Sequence, residues 1–158
     1  MKKLDALRRA IAAALPDLPR DPERLLLFAD DGHIVATSSR SPAFEYRYVG
    51  RIVIFGFAGD TDCLMAAVVN WAHSHQPDLF QNPDNRPHGL TFEADVLDEQ
   101  ACDLSIRIKL TESVAAQAAA NGAWHLQRID DSLPGNLDWD PMSWVNARDA
   151  ADGAVPRT

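Results

Sequence analysis

The segment from Phe44 to Phe57 constrains the fold most, because its side chains alternate in polarity along an unusually long stretch. One face of an extended chain here would be apolar, carrying Phe44, Tyr46, Tyr48, Ile52 and Ile54. The opposite face would carry Glu45, Arg47 and Arg51. Alternation with a period of two predicts a β-strand with one face toward water. From Val53 onward both faces are apolar, which predicts that this strand lies at the centre of its sheet.

Two later segments alternate in the same way, Phe92–Val96 and Leu104–Leu110. Because only a short connector at 98–101 separates them, we predict that they pair as an antiparallel hairpin. Two dipeptides, Asp31-Gly32 and Asn121-Gly122, carry the residues that two-residue hairpin turns favour. They predict one hairpin between 25–29 and 33–37, and another between 111–120 and 123–129. The alanine-rich stretch 113–120 leaves a helix there as an alternative.

Two segments have the periodicity of amphipathic helices. Leu4–Leu15 carries an apolar stripe and is followed by Pro16. Thr61–Gln76 has a broad apolar stripe, and either Asp60 or Thr61 is its potential N-cap. Apolar helix stripes and one-sided strands need each other for burial. We therefore predict an α+β fold, a mainly antiparallel sheet with two helices packed on one face. Residues 1–130 form a single domain in this interpretation, and 131–158 form an acidic, partly disordered tail.

Charge and composition exclude several classes of binding partner. The 158 residues carry a net charge of −8, distributed as +1 over residues 1–60 and −9 over 61–158. An acidic domain repels a phosphate backbone, which disfavours nucleic-acid binding. The apolar runs are too short for a membrane span, and the start does not have the pattern of a signal peptide. We therefore expect a soluble, unexported protein without membrane or sequence-specific nucleic-acid partners.

Residue types that carry out catalysis are present but not in recognisable patterns. Cys63 and Cys102 show no CxxC spacing and are expected to be reduced packing residues. His73 and His75 are two apart on the predicted helix, so they would point in different directions and could not bind one ion together. We expect no catalytic, metal or cofactor site. The alternative is a small acidic enzyme or ligand-binding domain whose His and Asp groups converge only in the fold.

Aromatic residues are the best candidates for an interaction surface. Phe44, Tyr46 and Tyr48 form a ridge on the long strand, for which core packing is the alternative to a subunit interface. Trp124 lies in the second predicted hairpin. This hairpin has few apolar side chains at alternating positions, so we do not expect it to be stable as a self-contained element. Trp139 and Trp144 lie in the polar tail and are expected to dock on the domain or on a neighbouring subunit. The end of the tail, 147–158, is expected to be disordered because it has almost no large apolar side chain.

Several short segments, in order along residues 1–130, resemble the tail completion protein R family of P2-type contractile-tailed phages. They are the opening 1–8, the connector 20–25, the stretches 31–37, 44–48 and 58–60, and the segments 75–79, 82–84, 103–106 and 110–112. None of these motifs is chemically diagnostic by itself. The resemblance does not extend beyond Asp131.

This resemblance implies a non-enzymatic protein that caps the head-proximal end of the tail and permits head–tail joining. It implies self-association, as a hexameric ring matching a contractile tail, and contacts with other tail or head–tail connector proteins. The expected locations are the virion tail and, during assembly, the host cytoplasm. It implies no catalytic residues and no cofactor.

Overall fold

The computed structural model describes residues 1–16, 22–36, 40–98 and 100–132. Within these residues the helices are α1 (Lys2–Ala14), α2 (Thr61–His75) and the short α3 (Asp78–Gln81). The strands are β1 (Leu25–Ala36), β2 (Phe44–Phe57), β3 (Leu90–Val96), β4 (Cys102–Ala118) and β5 (Trp124–Arg128). A short 3-10 turn, Pro22–Arg24, leads into β1. The predicted α+β class, with a mainly antiparallel sheet, is confirmed.

Four strands form a sheet in the order β1-β2-β4-β3, and every neighbouring pair is antiparallel. The strand β2 therefore lies inside the sheet, as its apolar second half predicts. The fifth strand, β5, pairs with the far end of β4. The hairpin from β3 to β4 forms as predicted. The hairpin around Asn121-Gly122 also forms, but its turn has three residues, 120–122, where the sequence predicted two. The alternative of a helix over 113–120 is wrong.

The core lies between the two long helices and one face of the sheet. Its fully buried members include Leu7 and Ile11 of α1, Leu64 and Val68 of α2, and the inward side chains of the central strands: Ile52, Ile54, Leu104, Ile106 and Ile108. Gly50 of β2 lets α1 approach closely, because a Cβ there would lie 3.0 Å from the side chains of Leu4 and Leu110. Of the two potential N-caps of α2, Asp60 is the one that forms, its carboxylate accepting from the backbone N–H groups of Asp62 and Cys63.

The other face of the sheet is not covered by any element of the described residues. Leu26 and Phe28 of β1 and Phe55 of β2 lie on this face and are each about two-fifths exposed (43, 41 and 43 %). Val53 and Phe55, on the outward face of β2, thus fit a strand with neighbours on both edges. Among the described helices, however, none covers this face of the sheet. None of the described helices is long and apolar enough to cross a membrane.

The predicted hairpin at Asp31-Gly32 is wrong. The strand β1 runs through this dipeptide, and a bulge between Asp30 and His33 accommodates one extra residue on β1. A two-residue turn of the favoured type needs positive φ at both positions, but only Asp31 has it, at 47°. The long β2 offers partners on both sides of the dipeptide, from Leu25↔Ile54 to Ala36↔Phe44, so pairing with β2 prevails over local turn formation.

Candidate interaction surface

A β-hairpin arm projects from the sheet at the end of β4. The pairing between β2 and β4 ends at Phe44↔Val114, and β4 then continues with β5 as its only partner among the described strands. Every residue from 117 to 127 is exposed. We call residues 115–127 the arm.

The turn of the arm depends on glycine for a conformational reason. Gly122 has φ +77°, a value that residues with a Cβ rarely adopt. Its N–H donates to the Ala119 carbonyl at 3.1 Å, and the Ala119 N–H donates to the Ala123 carbonyl at 2.8 Å. The arm therefore has a closed turn although no other helix or strand of the described residues packs on its tip.

Large apolar side chains lie on one face of the arm. Trp124 and Leu126 of β5 are 46 and 52 % exposed, and both lie on the same side of the hairpin as Arg128. The opposing positions on β4 are the small residues Ala116 and Ala118. Exposed aromatic and aliphatic groups beside small side chains are typical of a surface that another protein covers.

The base of the arm is held by a buried carboxylate. Glu112 is only 5 % exposed and forms an ion pair with Arg128. It also accepts hydrogen bonds from the Tyr48 hydroxyl and from the backbone N–H groups of Lys2 and Lys3 at the start of α1. A buried charge is tolerated when it is paired and hydrogen-bonded in this way. Glu112 thus joins the arm, the sheet and α1 at one point.

A second polar group extends this connection to α2. Gln76, also buried, accepts from the Lys3 ammonium at 3.0 Å and from the Thr111 N–H at 3.1 Å. Its amide donates to the Thr111 hydroxyl at 3.0 Å. The Lys3 ammonium also lies 3.0 Å from a carboxylate oxygen of Asp131, where the described chain nears its end. We call Glu112, Arg128, Lys3 and Gln76 the basal cluster.

The basal cluster shifts the ionisation of one neighbour. Burial, together with the hydrogen bond to the Glu112 carboxylate, raises the pKa of Tyr48 well above its usual range. The Tyr48 hydroxyl therefore stays protonated and remains a donor to Glu112 throughout the physiological range.

The predicted aromatic ridge is divided between core and surface. Tyr48 is 3 % exposed and belongs to the core. Phe44 and Tyr46 are half-buried and meet edge to face, with ring centroids 4.9 Å apart. Arg128 lies 5.7 Å above the Tyr46 ring. Trp124 is exposed on the arm, whereas Trp139 and Trp144 lie outside the described residues, so their docking stays a prediction.

A cleft of about 230 Å³ lies beside the basal cluster and is lined by both His and Asp side chains. It is therefore the place to test the alternative of a small enzyme or ligand-binding domain. His75 lines it, but its Nδ1 lies 2.9 Å from the Trp71 carbonyl. Asp130 also lines it and accepts from the side chain and backbone of Ser132, which lowers the pKa of this carboxyl. Among the described residues, no three His, Cys, Asp or Glu side chains are grouped as metal ligands would be.

The sequence reasoning missed the basal cluster, although one signal was available. Glu112 shares the parity of Leu104, Ile106, Ile108 and Leu110, so an extended strand would direct its carboxylate toward the core. A charged residue at a core position needs a buried partner. The predicted hairpin around Asn121-Gly122 already brings Arg128 close to Glu112. The contacts of Glu112 with the start of α1 could not be predicted, because they form only when α1 packs on the sheet.

Comparison with known proteins agrees with the resemblance noted in the sequence. The family described as P2 phage tail completion protein R (GpR) matches residues 1–132. Tail completion protein R of Escherichia phage P2 is 35 % identical over 134 residues, which cover 85 % of this chain and 86 % of that protein. No solved structure matches the chain significantly. Neither match supports the alternative of a small enzyme or ligand-binding domain. The extent of both matches shows that the chain belongs to the P2 phage tail completion protein R family.

Proposed function

We propose that the chain is a structural protein of phage assembly that caps the head-proximal end of a tail and permits its joining to a head. The observation that carries this proposal is the family match over residues 1–132. The proposal assigns the chain no catalytic role and no cofactor. Its site of action is the virion tail, reached by assembly in the host cytoplasm.

Capping requires contacts with other subunits, and the proposal includes a closed, six-fold ring formed by self-association on the tail. The six-fold symmetry rests on the resemblance to a family of contractile-tailed phages. The outer edges of β1 and β3, which no other described strand pairs with, support self-association, because an exposed edge is a template for pairing with another chain. The arm supports a contact with a tail or head–tail connector protein, since Trp124 and Leu126 are exposed next to the hydrogen-bonded basal cluster. Phe44 and Tyr46, next to that base, are candidates for the edge of the same contact.

The test is deletion of the gene followed by electron microscopy of the particles. We expect abnormal tail ends and unjoined heads and tails, and full recovery when the wild-type gene is supplied. Normal particles from the deletion strain would refute the proposal.

The role of the arm is tested in the same complementation assay. Trp124→Ala combined with Leu126→Ala should remove the apolar face of β5 and prevent recovery. The matched control is His125→Ala with Gln127→Ala, which changes two exposed residues on the opposite face of the same strand. Both proteins should have the wild-type melting temperature, because the arm contributes little to the core. Recovery by the first variant would exclude the apolar face of the arm from function.

A further inference from the structure

We propose that residues 133–145 dock on the uncovered face of the sheet in their own copy, where Trp139 and Trp144 cover an apolar patch. We call residues 133–145 the anchor segment. The outer patch consists of four side chains of β1 and β2: Leu26, Phe28, Val53 and Phe55. This inference does not depend on the proposed function. It names a docking surface for the two tryptophans, which lie outside the described residues.

The outer patch is apolar and accessible. Leu26 and Val53 lie directly opposite each other in the pairing of β1 with β2, and Phe28 and Phe55 lie on either side of this pair. Leu26, Phe28 and Phe55 are each 41–43 % exposed, and none of the described helices covers them. Large apolar groups that are exposed together are typical of a surface that another segment covers.

The chain leaves the described fold at an edge of the sheet. Asp131 lies 3.0 Å from the Lys3 ammonium, which donates to the Gln76 side-chain oxygen. The same oxygen accepts from the Thr111 N–H at 3.1 Å. Thr111 lies in the part of β4 between the stretches that pair with β3 and with β5. The anchor segment therefore begins beside an edge from which either face of the sheet is accessible.

A groove of about 700 Å³ joins this edge to the uncovered face. It is lined by Gln76 and Thr111 at the edge and by Val49 and Lys109 on the face. Val49 and Lys109 are opposite each other in the pairing of β2 with β4, and both point outward. The groove gives the anchor segment a path from its starting point toward the outer patch.

The anchor segment is long enough to follow this path. The pair formed by Leu26 and Val53 lies level with Ser105 of β4, six residues from Thr111, which corresponds to about 20 Å along the strand. Leu26 lies a further two strand spacings across the sheet, about 10 Å. Trp139 follows Asp131 by eight positions, so an extended chain carries it at most about 26–29 Å. Both tryptophans are therefore within reach of the outer patch.

Charge favours docking along this path. Lys109 is exposed in the groove and has no ion-pair partner among the described residues. The next outward pair, Arg51 opposite Arg107, brings like charges together on neighbouring strands, which is unfavourable. The anchor segment has two carboxylates, Asp138 and Asp140 beside Trp139, and no basic residue. These carboxylates would offset the cations of β2 and β4 while Trp139 reaches the outer patch.

The acidic groups of the same face determine where the anchor segment lies. The carboxylates near the path already accept hydrogen bonds within the described residues: Asp30, Asp31, Glu45, Asp78 and Asp103. Glu93 and Asp95 of β3 have no cationic partner among the described residues and would repel Asp138 and Asp140. Repulsion from β3 therefore keeps the anchor segment on the side of β1 and β2, where the outer patch lies.

The arm is the alternative docking surface, because Trp124 and Leu126 are also exposed. Residues 115–127 contain no Lys, Arg, Asp or Glu, so the arm offers no charge to hold Asp138 and Asp140. Docking on the outer patch also leaves the arm free for a partner protein.

Limited digestion of the full-length chain with chymotrypsin tests the inference. Cleavage after Trp144, followed by mass spectrometry, measures how often the anchor segment is undocked. Leu26→Ser with Phe28→Ser should raise this rate about tenfold or more. The matched control, Trp124→Ser with Leu126→Ser, removes exposed apolar groups from the arm and should keep the wild-type rate. Cleavage after the buried Tyr48 in the same digest reports global unfolding and should not change.

Charge exchange gives an independent measurement. Asp138→Lys with Asp140→Lys should raise cleavage after Trp144 about threefold or more, because two attractions become repulsions. The matched control, Asp149→Lys with Asp152→Lys, makes the same charge change beyond the anchor segment and should keep the wild-type rate. Adding Lys109→Glu to the first variant should lower its rate again. No such recovery, or equal rates for the two pairs of substitutions, would overturn the inference.

The dependence on protein concentration shows which copy is covered. Docking within one copy predicts the same cleavage rate at about 1 and 100 μM protein. Protection that grows with concentration would place the anchor segment on a neighbouring copy and would overturn the inference. So would faster cleavage in the arm variant but not in the outer-patch variant. These outcomes leave the proposed function intact, since that fails only when tails mature normally without the chain.

Discussion

Replacing Glu112 with alanine should destabilise the whole domain, because this carboxylate joins α1, β2 and β5. Its loss leaves the buried Tyr48 hydroxyl without an acceptor, which costs about 1–3 kcal/mol. The N–H groups of Lys2 and Lys3 lose their carboxylate, and Arg128 loses its ion pair. Breaking a buried ion pair by removing one partner typically costs about 3–5 kcal/mol, and we expect the lower end because Arg128 can turn toward water.

The measurement is chemical denaturation combined with calorimetry. For a domain of this size, about 3 kcal/mol corresponds to a fall in melting temperature of about 10 °C. The matched control is Glu45→Ala, which removes a carboxylate paired with Arg47 on the uncovered face of the same sheet. A partly exposed pair of this kind contributes about 0–1 kcal/mol.

A double-mutant cycle separates the ion pair from the other contacts of Glu112. Arg128→Ala and Glu112→Ala should be clearly non-additive, because the two side chains are in contact. Equal losses for Glu112→Ala and Glu45→Ala would refute the reasoning that the basal cluster stabilises the fold. Additive effects of Glu112→Ala and Arg128→Ala would show that Arg128 does not contribute to stability through Glu112.

Three further predictions follow from single features. Gly50→Ala should lower the free energy of unfolding by about 1–3 kcal/mol in denaturant titrations, because the added Cβ would crowd two leucine side chains; a neutral result would show that α1 can move away. Because the pKa of Tyr48 is raised in the folded state, its contribution to stability is present below its ordinary value of 10.0 and is lost as the pH rises above it. Denaturation at increasing alkaline pH should therefore show a shallower loss of stability for Tyr48→Phe than for the wild type; equal slopes for the two proteins would contradict this. Trp139→Ala with Trp144→Ala should lower the melting temperature or weaken self-association, since burying one Trp contributes about 2–3 kcal/mol; if neither quantity changes and both indoles fluoresce as water-exposed in the wild type, they are not anchors.

Local sequence patterns were sufficient to predict most helices and strands of the fold. The alternation of β2 and β4 marks which side chains enter the core, and the Asp60 cap and the apolar stripe define α2. Gly122 marks the turn of the arm, because its positive φ is a local requirement. Each of these signals depends on neighbours within a few residues, so it can be identified without knowing the rest of the chain.

The same kind of signal failed at Asp31-Gly32, where the pairing of β1 with the long β2 outweighed a local turn preference. The basal cluster as a whole could not be predicted from local sequence patterns either. Glu112 and the backbone of Lys2 are 110 positions apart and meet only when α1 packs on the sheet. The sequence by itself determined the fold class, the core faces and the family, since these depend on local periodicity and on the order of short motifs. Only the tertiary structure decided which edges stay unpaired and where the arm leaves the sheet, because strand order and register arise from contacts between distant segments.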